Sequence, residues 1–175
     1  MKGKTQSDNA QTPWALISSD SEATIKSKPV ADLLFTNYPY LFLKNSTFNH
    51  IAVVRPRNLT GDDFQTLTNI FNLIGTYAQS NTGTIQFYTH KPSKTVLKNS
   101  NVIAFGTPKQ SAFIRSLNPK LYFKYNQHFT GFLSNEKLSV EKTYGQNIGT
   151  AQLLRSPYNQ RSGLLVVTAV KSSDA

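Results

Sequence analysis

Apolar residues recur at helical spacing between residues 62 and 79, in the middle of the chain. They are Phe64, Leu67, Ile70, Phe71, Ile74, Tyr77 and Ala78. Steps of three and four predict an amphipathic helix with one apolar stripe. Thr60 is the candidate N-cap, and Asp62 and Asp63 lie in the first turn, where the helix dipole favours negative charge.

Short apolar runs on either side of this helix predict strands. Residues 50–55 read His-Ile-Ala-Val-Val-Arg, and residues 83–88 read Gly-Thr-Ile-Gln-Phe-Tyr. A strand, a helix and a strand with short joints form a βαβ unit. Such a unit has parallel strands and a right-handed crossover.

The second half of the chain repeats this alternation less regularly. Residues 101–105 predict a strand, and Thr107 and Pro108 are the candidate N-cap and first residue of a helix that ends before Pro119. Residues 121–133 are an aromatic-rich excursion. Residues 149–156 predict a strand that ends in a Ser-Pro-Tyr-Asn turn. Residues 163–170 predict a strand buried on both faces, as parallel sheets require.

The amino-acid composition is that of a globular protein and excludes several kinds of site. The chain has 175 residues and 38% apolar residues, which is typical of one globular domain. No apolar run reaches the roughly 18 residues of a membrane span. The chain has no cysteine, which excludes disulfides and thiolate metal sites, and its three histidines lack metal-ligand spacing.

The formal net charge of +10 is unevenly placed. Residues 64–135 contain no Asp or Glu but seven cations: Lys91, Lys94, Lys98, Lys109, Arg115, Lys120 and Lys124. A field of one sign suggests an anionic partner, such as an acidic glycan, lipid headgroups or an acidic protein face. A merely solvated basic surface is the alternative. No nucleic-acid-binding motif is present, so we expect no nucleic-acid partner.

Catalytic and cofactor motifs are missing from the sequence. Thr60 and Gly61 superficially resemble a phosphate loop, but Asp62 and Asp63 would repel a phosphate at that helix start. These adjacent acids also point in different directions, so they do not form a glycosidase pair. No nucleophile elbow, dinucleotide fingerprint or P-loop occurs. We therefore expect no enzyme activity, no flavin, no nucleotide cofactor and no metal.

Several motifs occur in an order that resembles a known family. They are residues 14–17 (Trp-Ala-Leu-Ile), 38–42 (Tyr-Pro-Tyr-Leu-Phe), 51–56 with the following helix, 103–108 (Ile-Ala-Phe-Gly-Thr-Pro), and 152–159 (Gln-Leu-Leu-Arg-Ser-Pro-Tyr-Asn) leading into 164–168. Over residues 13–170 the chain resembles a flavodoxin-like domain of the bacterial cellulose synthase B subunit. Tyr158 stands where that family often has Trp.

The resemblance implies an α/β fold: a flavodoxin-like three-layer sandwich with a mainly parallel sheet of four or five strands. It also implies a non-catalytic scaffold or regulatory domain of an extracytoplasmic cellulose or related exopolysaccharide synthase subunit. Its expected partners are the membrane-embedded catalytic glucan synthase subunit, neighbouring carbohydrate-binding-type domains of the same chain, and the polysaccharide. The family is often labelled as binding cyclic di-GMP, although sensing is assigned to the partner synthase.

These expectations divide the chain into three parts. Residues 1–12 are disordered or a linker, residues 13–44 are an N-terminal extended arm packed on the domain, and residues 45–175 are the flavodoxin-like domain. No helix follows the strand that ends near residue 170, which suggests a fragment of a longer protein, and the resemblance implies that this protein is membrane-anchored. The candidate partner or glycan contacts are Arg55, Arg57, Lys91, Lys94, Lys98, Tyr158 and Arg161. A ligand-sensing module for a nucleotide or an anionic glycan is the alternative function, and a hydrolase is a third.

Overall fold

The computed structural model describes residues 33–79 and 82–174. The chain divides into two units, residues 1–30 and 31–175, and the first lies outside the described residues. The expected linker over residues 1–12 and the part of the expected arm before residue 33 lie outside them as well.

One sheet organises the described residues. Its strands are β1 (Leu43–Lys44), β2 (Thr47–Val54), β3 (Gly83–Tyr88), β4 (Asn101–Phe105), β5 (Gly149–Ser156) and β6 (Asn159–Ala169). The helices are α1 (Gly61–Tyr77), α2 (Lys94–Asn99), α3 (Ala112–Leu117) and α4 (Lys142–Gly145). Short 3-10 turns lie at Phe35–Asn37, Asn118–Lys120 and Ser172–Asp174.

The sheet is mixed, with the strand order β1-β2-β4-β6-β5 and with β3 also paired to β2. Strand β2 is parallel to β3 and β4, and β4 is parallel to β6. The β1–β2 and β5–β6 pairs are antiparallel. The sheet curls into a half-barrel. The predicted flavodoxin-like three-layer sandwich with a mainly parallel sheet is therefore wrong.

The hairpin of β5 and β6 is the physical reason for this correction. Ser156 pairs with Asn159, so only Pro157 and Tyr158 join the two strands. A parallel pair needs a crossover of roughly a dozen or more residues, whereas a two-residue link permits only antiparallel pairing. The predicted turn at residues 156–159 is correct, but it reverses the chain within one sheet.

The predicted βαβ unit is confirmed as β2, α1 and β3 with parallel strands. Helix α2 lies between the predicted strands over residues 83–88 and 101–105, where no helix is predicted. It has only six residues and buries only Leu97, which is too little for a periodic signal. Helix α3 begins at Ala112, later than predicted. Thr107 and Gln110 instead close a separate turn, in which Thr107 N donates to Gln110 Oε1 at 2.9 Å.

Two apolar clusters cover the two faces of the sheet. One cluster joins Phe42, Ile51, Val53, Ile70, Ile74, Ile103, Phe105, Leu153 and Leu165, so α1 and residues 33–43 lie on this face. The other includes Val54, Leu97, Val102, Ala104, Phe113, Leu117, Tyr125, Phe132, Leu164 and Val166. Helices α2 and α3 and the excursion over residues 121–132 therefore cover the second face.

Helix α1 is rotated from the predicted stripe. Asp63 and Thr66 face inward with Ile70 and Ile74, whereas Phe64 is 58% exposed. Asp63 forms a capping box with Thr60, in which the Asp63 N–H donates to Thr60 Oγ1 at 3.2 Å and Thr60 N donates to Asp63 Oδ2 at 2.9 Å. Because this carboxylate also accepts from Gln110 Nε2 at 3.2 Å, its position fixes the rotation of the helix.

Asn101 ties three strands together at their amino ends. Its Nδ2 donates to Asn49 O on β2 at 2.8 Å, and its Oδ1 accepts from Gly163 N on β6 at 2.8 Å. The side chain is 5% exposed, and a buried amide of this kind is costly unless it is hydrogen-bonded. The hydrogen bonds of Asn101 therefore favour the order β2-β4-β6, in which β4 lies between the two strands that bind its side chain.

The two neighbouring acids of α1 should differ in their effect on stability. Asp63→Ala removes the capping box and the Gln110 contact, and we expect it to lower the free energy of unfolding by about 1–3 kcal/mol. Asp62→Ala, the matched control, removes only an exposed charge near the helix dipole and should cost under about 1 kcal/mol. Urea denaturation of both variants checks this. Equal transition midpoints would contradict the structural role of Asp63.

Candidate functional site

Helix α2 and the β5–β6 turn bring three of the predicted contact residues together. The ammonium of Lys91 lies 5.9 Å from the centre of the Tyr158 ring. Asn159 Nδ2 donates to the carbonyl oxygen of Lys98 at 2.8 Å. These contacts join the loop before α2, the last turn of α2 and the hairpin tip into one surface.

Two more predicted cations lie on this surface. Lys94 and Lys98 are four residues apart on α2, so they share one helix face, and both are exposed. Arg161 is exposed, and its backbone N–H donates to Asn159 Oδ1 at 3.0 Å. The name basic face is used below for Lys91, Lys94, Lys98 and Arg161, of which Lys91 lies over the ring of Tyr158.

The local sequence explains why these cations point outward. Ser93 is the N-cap of α2, and its Oγ accepts from Val96 N at 3.3 Å. Pro92 and Leu97 are buried and hold the segment against the sheet. With one anchoring position on so short a helix, the lysines are left to solvent.

Tyr158 is a packing residue of the hairpin tip. Its ring stacks on Phe113 with centroids 6.5 Å apart and an interplanar angle of 18°. Burial raises the pKa of its hydroxyl group. One ring face is thus occupied by the core, and the Lys91 ammonium adds a cation–π contact. Tyr158 positions the turn and is not an open platform for a sugar ring.

The remaining predicted residues, Arg55 and Arg57, lie in the loop after β2. Arg55 Nη1 donates to Pro56 O at 2.9 Å and to Arg57 O at 3.2 Å, so its guanidinium shapes this loop. Arg57 is exposed. Arg115, within the acid-free stretch, donates to the carbonyl of Pro108 and is likewise bound to backbone. Arg55 and Arg115 serve loop structure, whereas the basic face consists mainly of lysines.

The crevice at the carboxyl ends of β2 and β4 is where an α/β sheet of this order would bind a small ligand. Here it is filled by the protein itself. The Asp63 carboxylate holds Thr60 and Gln110. Gly106 has φ +116°, and an added Cβ there would lie 2.7 Å from Pro56 Cγ. Gly106 therefore lies in close contact with Pro56, and two backbone donors of these loops, Thr60 N and Thr107 N, are bound by the side chains of Asp63 and Gln110.

The aromatic excursion lies mostly in the core. Tyr125 and Phe132 are buried and stack with centroids 4.2 Å apart, and Tyr125 Oη lies 2.8 Å from Thr168 Oγ1. Phe123 and Phe129 are partly buried against the same cluster. Only Tyr122, at 64% exposure, is available to stack on a sugar among the five aromatics considered.

A metal-binding cluster is not found among residues 33–79 and 82–174. This part of the chain contains no group of three His, Cys, Asp or Glu side chains that could hold a metal ion. None of its helices has the length and apolar content that crossing a bilayer requires.

Comparison with known proteins returned no relative. No family model, no curated protein and no solved structure matches the chain. The basic face therefore has to be interpreted from its own geometry. Asn159, which links the hairpin tip to α2, was missed by sequence reasoning because an Asn in a turn has many local uses.

Two substitutions distinguish the contribution of the Tyr158 ring to stability from that of its hydroxyl group. Tyr158→Ala removes the stack on Phe113 and should cost about 2–4 kcal/mol of unfolding free energy, by analogy with other truncations of packed aromatic side chains. Tyr158→Phe keeps the ring and should stay within about 0.5 kcal/mol of the parent protein. Thermal denaturation followed by circular dichroism measures both. A large loss in Tyr158→Phe would mean that the hydroxyl, not the ring, holds the turn.

Proposed function

We propose that this chain is a non-catalytic scaffold or regulatory domain that docks on an acidic surface of a partner through its basic face. The observation that supports this proposal is the basic face. Its four cations, Lys91, Lys94, Lys98 and Arg161, are exposed. Residues 64–135 contain no carboxylate that could neutralise them. A cluster of this kind acts mainly on the rate and specificity of association.

The sequence resemblance supports a particular setting for this role. It suggests an extracytoplasmic subunit of a cellulose or related exopolysaccharide synthase, anchored to the membrane by a part of the protein outside this chain. The partner would then be the catalytic glucan synthase subunit or a neighbouring carbohydrate-binding-type domain. Four of the segments that carry the resemblance, residues 51–56, 103–108, 152–159 and 164–168, lie in or next to β2, β4 and the β5–β6 hairpin, which are neighbours in the sheet.

The filled crevice favours docking over the sensing alternative. A nucleotide or anionic glycan would need unpaired donors at the carboxyl ends of β2 and β4. There the Asp63 carboxylate, Gln110 and the contact of Pro56 with Gly106 occupy the space. A neutral glucan gains nothing from lysine charge, so contact with the polysaccharide would depend on Tyr122 and would be insensitive to salt.

Charge reversal tests the docking role. The variant Lys91→Glu, Lys94→Glu, Lys98→Glu is introduced into the full-length subunit, and co-purification of the synthase is measured at low and high salt. We expect recovery at low salt to fall by about tenfold or more, because electrostatic steering changes association by that order. The parent complex should itself weaken as salt shortens the Debye length to about 3 Å at 1 M.

A second triple variant, Lys109→Glu, Lys120→Glu, Lys124→Glu, is the matched control. It changes the net charge equally at exposed lysines outside the basic face. We expect it to assemble nearly as well as the parent protein. If the two triple variants behave alike, or if the first assembles normally at low salt, the basic face is only a solvated surface.

A further inference from the structure

The side chain of Asn159 binds the backbone at two members of the basic face. Its Nδ2 donates to the carbonyl oxygen of Lys98 at 2.8 Å, and its Oδ1 accepts from the backbone N–H of Arg161 at 3.0 Å. Lys98 lies 61 residues earlier in the chain, so this single amide holds a helix end and a strand together. The spacing between these two cations therefore depends on a side chain that carries no charge.

The carbonyl group that Asn159 binds lies at the end of α2. The last four C=O groups of an α-helix lack a partner inside the helix, and Lys98 is the fifth of the six residues of α2. The C-cap residue Ser100 is already extended, with φ −127° and ψ 151°. Asn159 therefore caps the end of α2 from strand β6.

Helix α2 depends on such contacts because its own sequence does little to stabilise it. It has six residues, whereas isolated helices shorter than about 12 residues are marginal in water. Thr95 and Val96 are β-branched, which lowers helix propensity. Lys94 lies in the first turn, where the helix dipole disfavours a cation, and only one residue of α2 is buried. The contact with Asn159 is therefore a principal anchor of the turn that carries Lys98.

The hairpin tip that carries Asn159 is itself anchored in the protein. Ser156 is fully buried, and its Oγ accepts from the Tyr158 N–H at 3.3 Å. The Tyr158 ring stacks on Phe113 and lies 5.9 Å from the ammonium of Lys91. Residues 158 and 159 thus contact three of the four cations of the basic face from one anchored turn.

We propose, on the basis of the docking function above, that Asn159 is a positioning residue of the basic face. It fixes Lys98 relative to Arg161, so the partner is recognised by the arrangement of these cations and not by net charge alone. A site that is ordered before binding loses less conformational freedom when the partner docks. The matching acidic surface is then a folded one, whose carboxylates also hold fixed positions. A flexible polyanion gains little from this order, because it can follow the cations wherever they lie.

Substitution of Asn159 in the full-length subunit tests the proposal without a change of net charge. Asn159→Ala removes both hydrogen bonds. We expect recovery of the synthase at low salt to fall by about two- to tenfold, because the cations must then be ordered on binding. Binding of labelled poly-L-glutamate, a flexible polyanion, should change by less than about twofold, since it follows net charge. Asn159→Leu, which keeps the volume without the hydrogen bonds, is used if Asn159→Ala does not fold by circular dichroism.

Asn135→Ala is the matched control. Asn135 is also half-buried and also binds backbone, since its Oδ1 accepts from the N–H groups of Lys137 at 2.9 Å and Leu138 at 2.8 Å. These contacts lie outside the basic face. The control variant should therefore recover the synthase as well as the parent protein does.

A double-mutant cycle shows whether Asn159 acts through the cations that it holds. In a background of Lys98→Ala and Arg161→Ala, the further change Asn159→Ala should alter synthase recovery by less than about twofold, because the charges that it positions are gone. If Asn159 served only the stability of the fold, its effect would be the same in that background as in the parent protein.

Two kinds of result would overturn the proposal, and they differ in what happens to the docking function. Normal synthase recovery by Asn159→Ala, while the charge-reversal variant Lys91→Glu, Lys94→Glu, Lys98→Glu loses the synthase, would reject the positioning role alone. Equal losses of synthase and poly-L-glutamate binding, or an undiminished effect in the background without Lys98 and Arg161 charges, would do the same. Normal recovery by the charge-reversal variant would reject the docking function, and the positioning role with it.

Discussion

The loops at the carboxyl ends of β2 and β4 are held together by the hydrogen bonds of one buried side chain, the carboxylate of Asp63. It accepts from Thr60 at the start of α1 and from Gln110 in the loop after β4. One side chain thus sets the rotation of α1 and joins two strand-to-helix loops. Its Oδ1 is buried and has no hydrogen-bond partner among the described residues, so within them the carboxylate is stabilised through Oδ2.

The hydrogen bonds of Asp63 lie in the crevice at the carboxyl ends of β2 and β4, and this position bears on function. Related α/β architectures use the carboxyl-end crevice for ligands, because helix N-termini and loop N–H groups converge there. Here Thr60 N donates to Asp63 Oδ2, Thr107 N donates to Gln110 Oε1, and Gly106 lies directly against Pro56. The proposed function accordingly places recognition on the outer surfaces. The basic face lies on α2, the loop before it and the hairpin.

Local patterns in the sequence predicted the βαβ unit, because a seventeen-residue helix carries a strong periodic signal and short apolar runs flank it on both sides. They did not predict the sheet as a whole. The reversal at Pro157 and Tyr158 depends on strand pairing across the turn, and its two-residue length was the available signal. The members of the basic face, Lys91, Lys94, Lys98 and Arg161, were each predicted as contact residues, as was Tyr158. The contact that joins α2 to the hairpin tip runs through Asn159 and was not predicted. No periodicity encodes such a contact.

Hydrogen exchange of the full-length subunit, alone and bound to its partner, tests most directly whether this domain acts by surface docking. Exchange is followed peptide by peptide along the chain. The account predicts that partner binding slows exchange in peptides covering residues 91–99 and 157–161. It also predicts no change in the loops over residues 55–60 and 106–111. Slowed exchange confined to those two loops would contradict the account, because it would place recognition in the crevice that Asp63 closes.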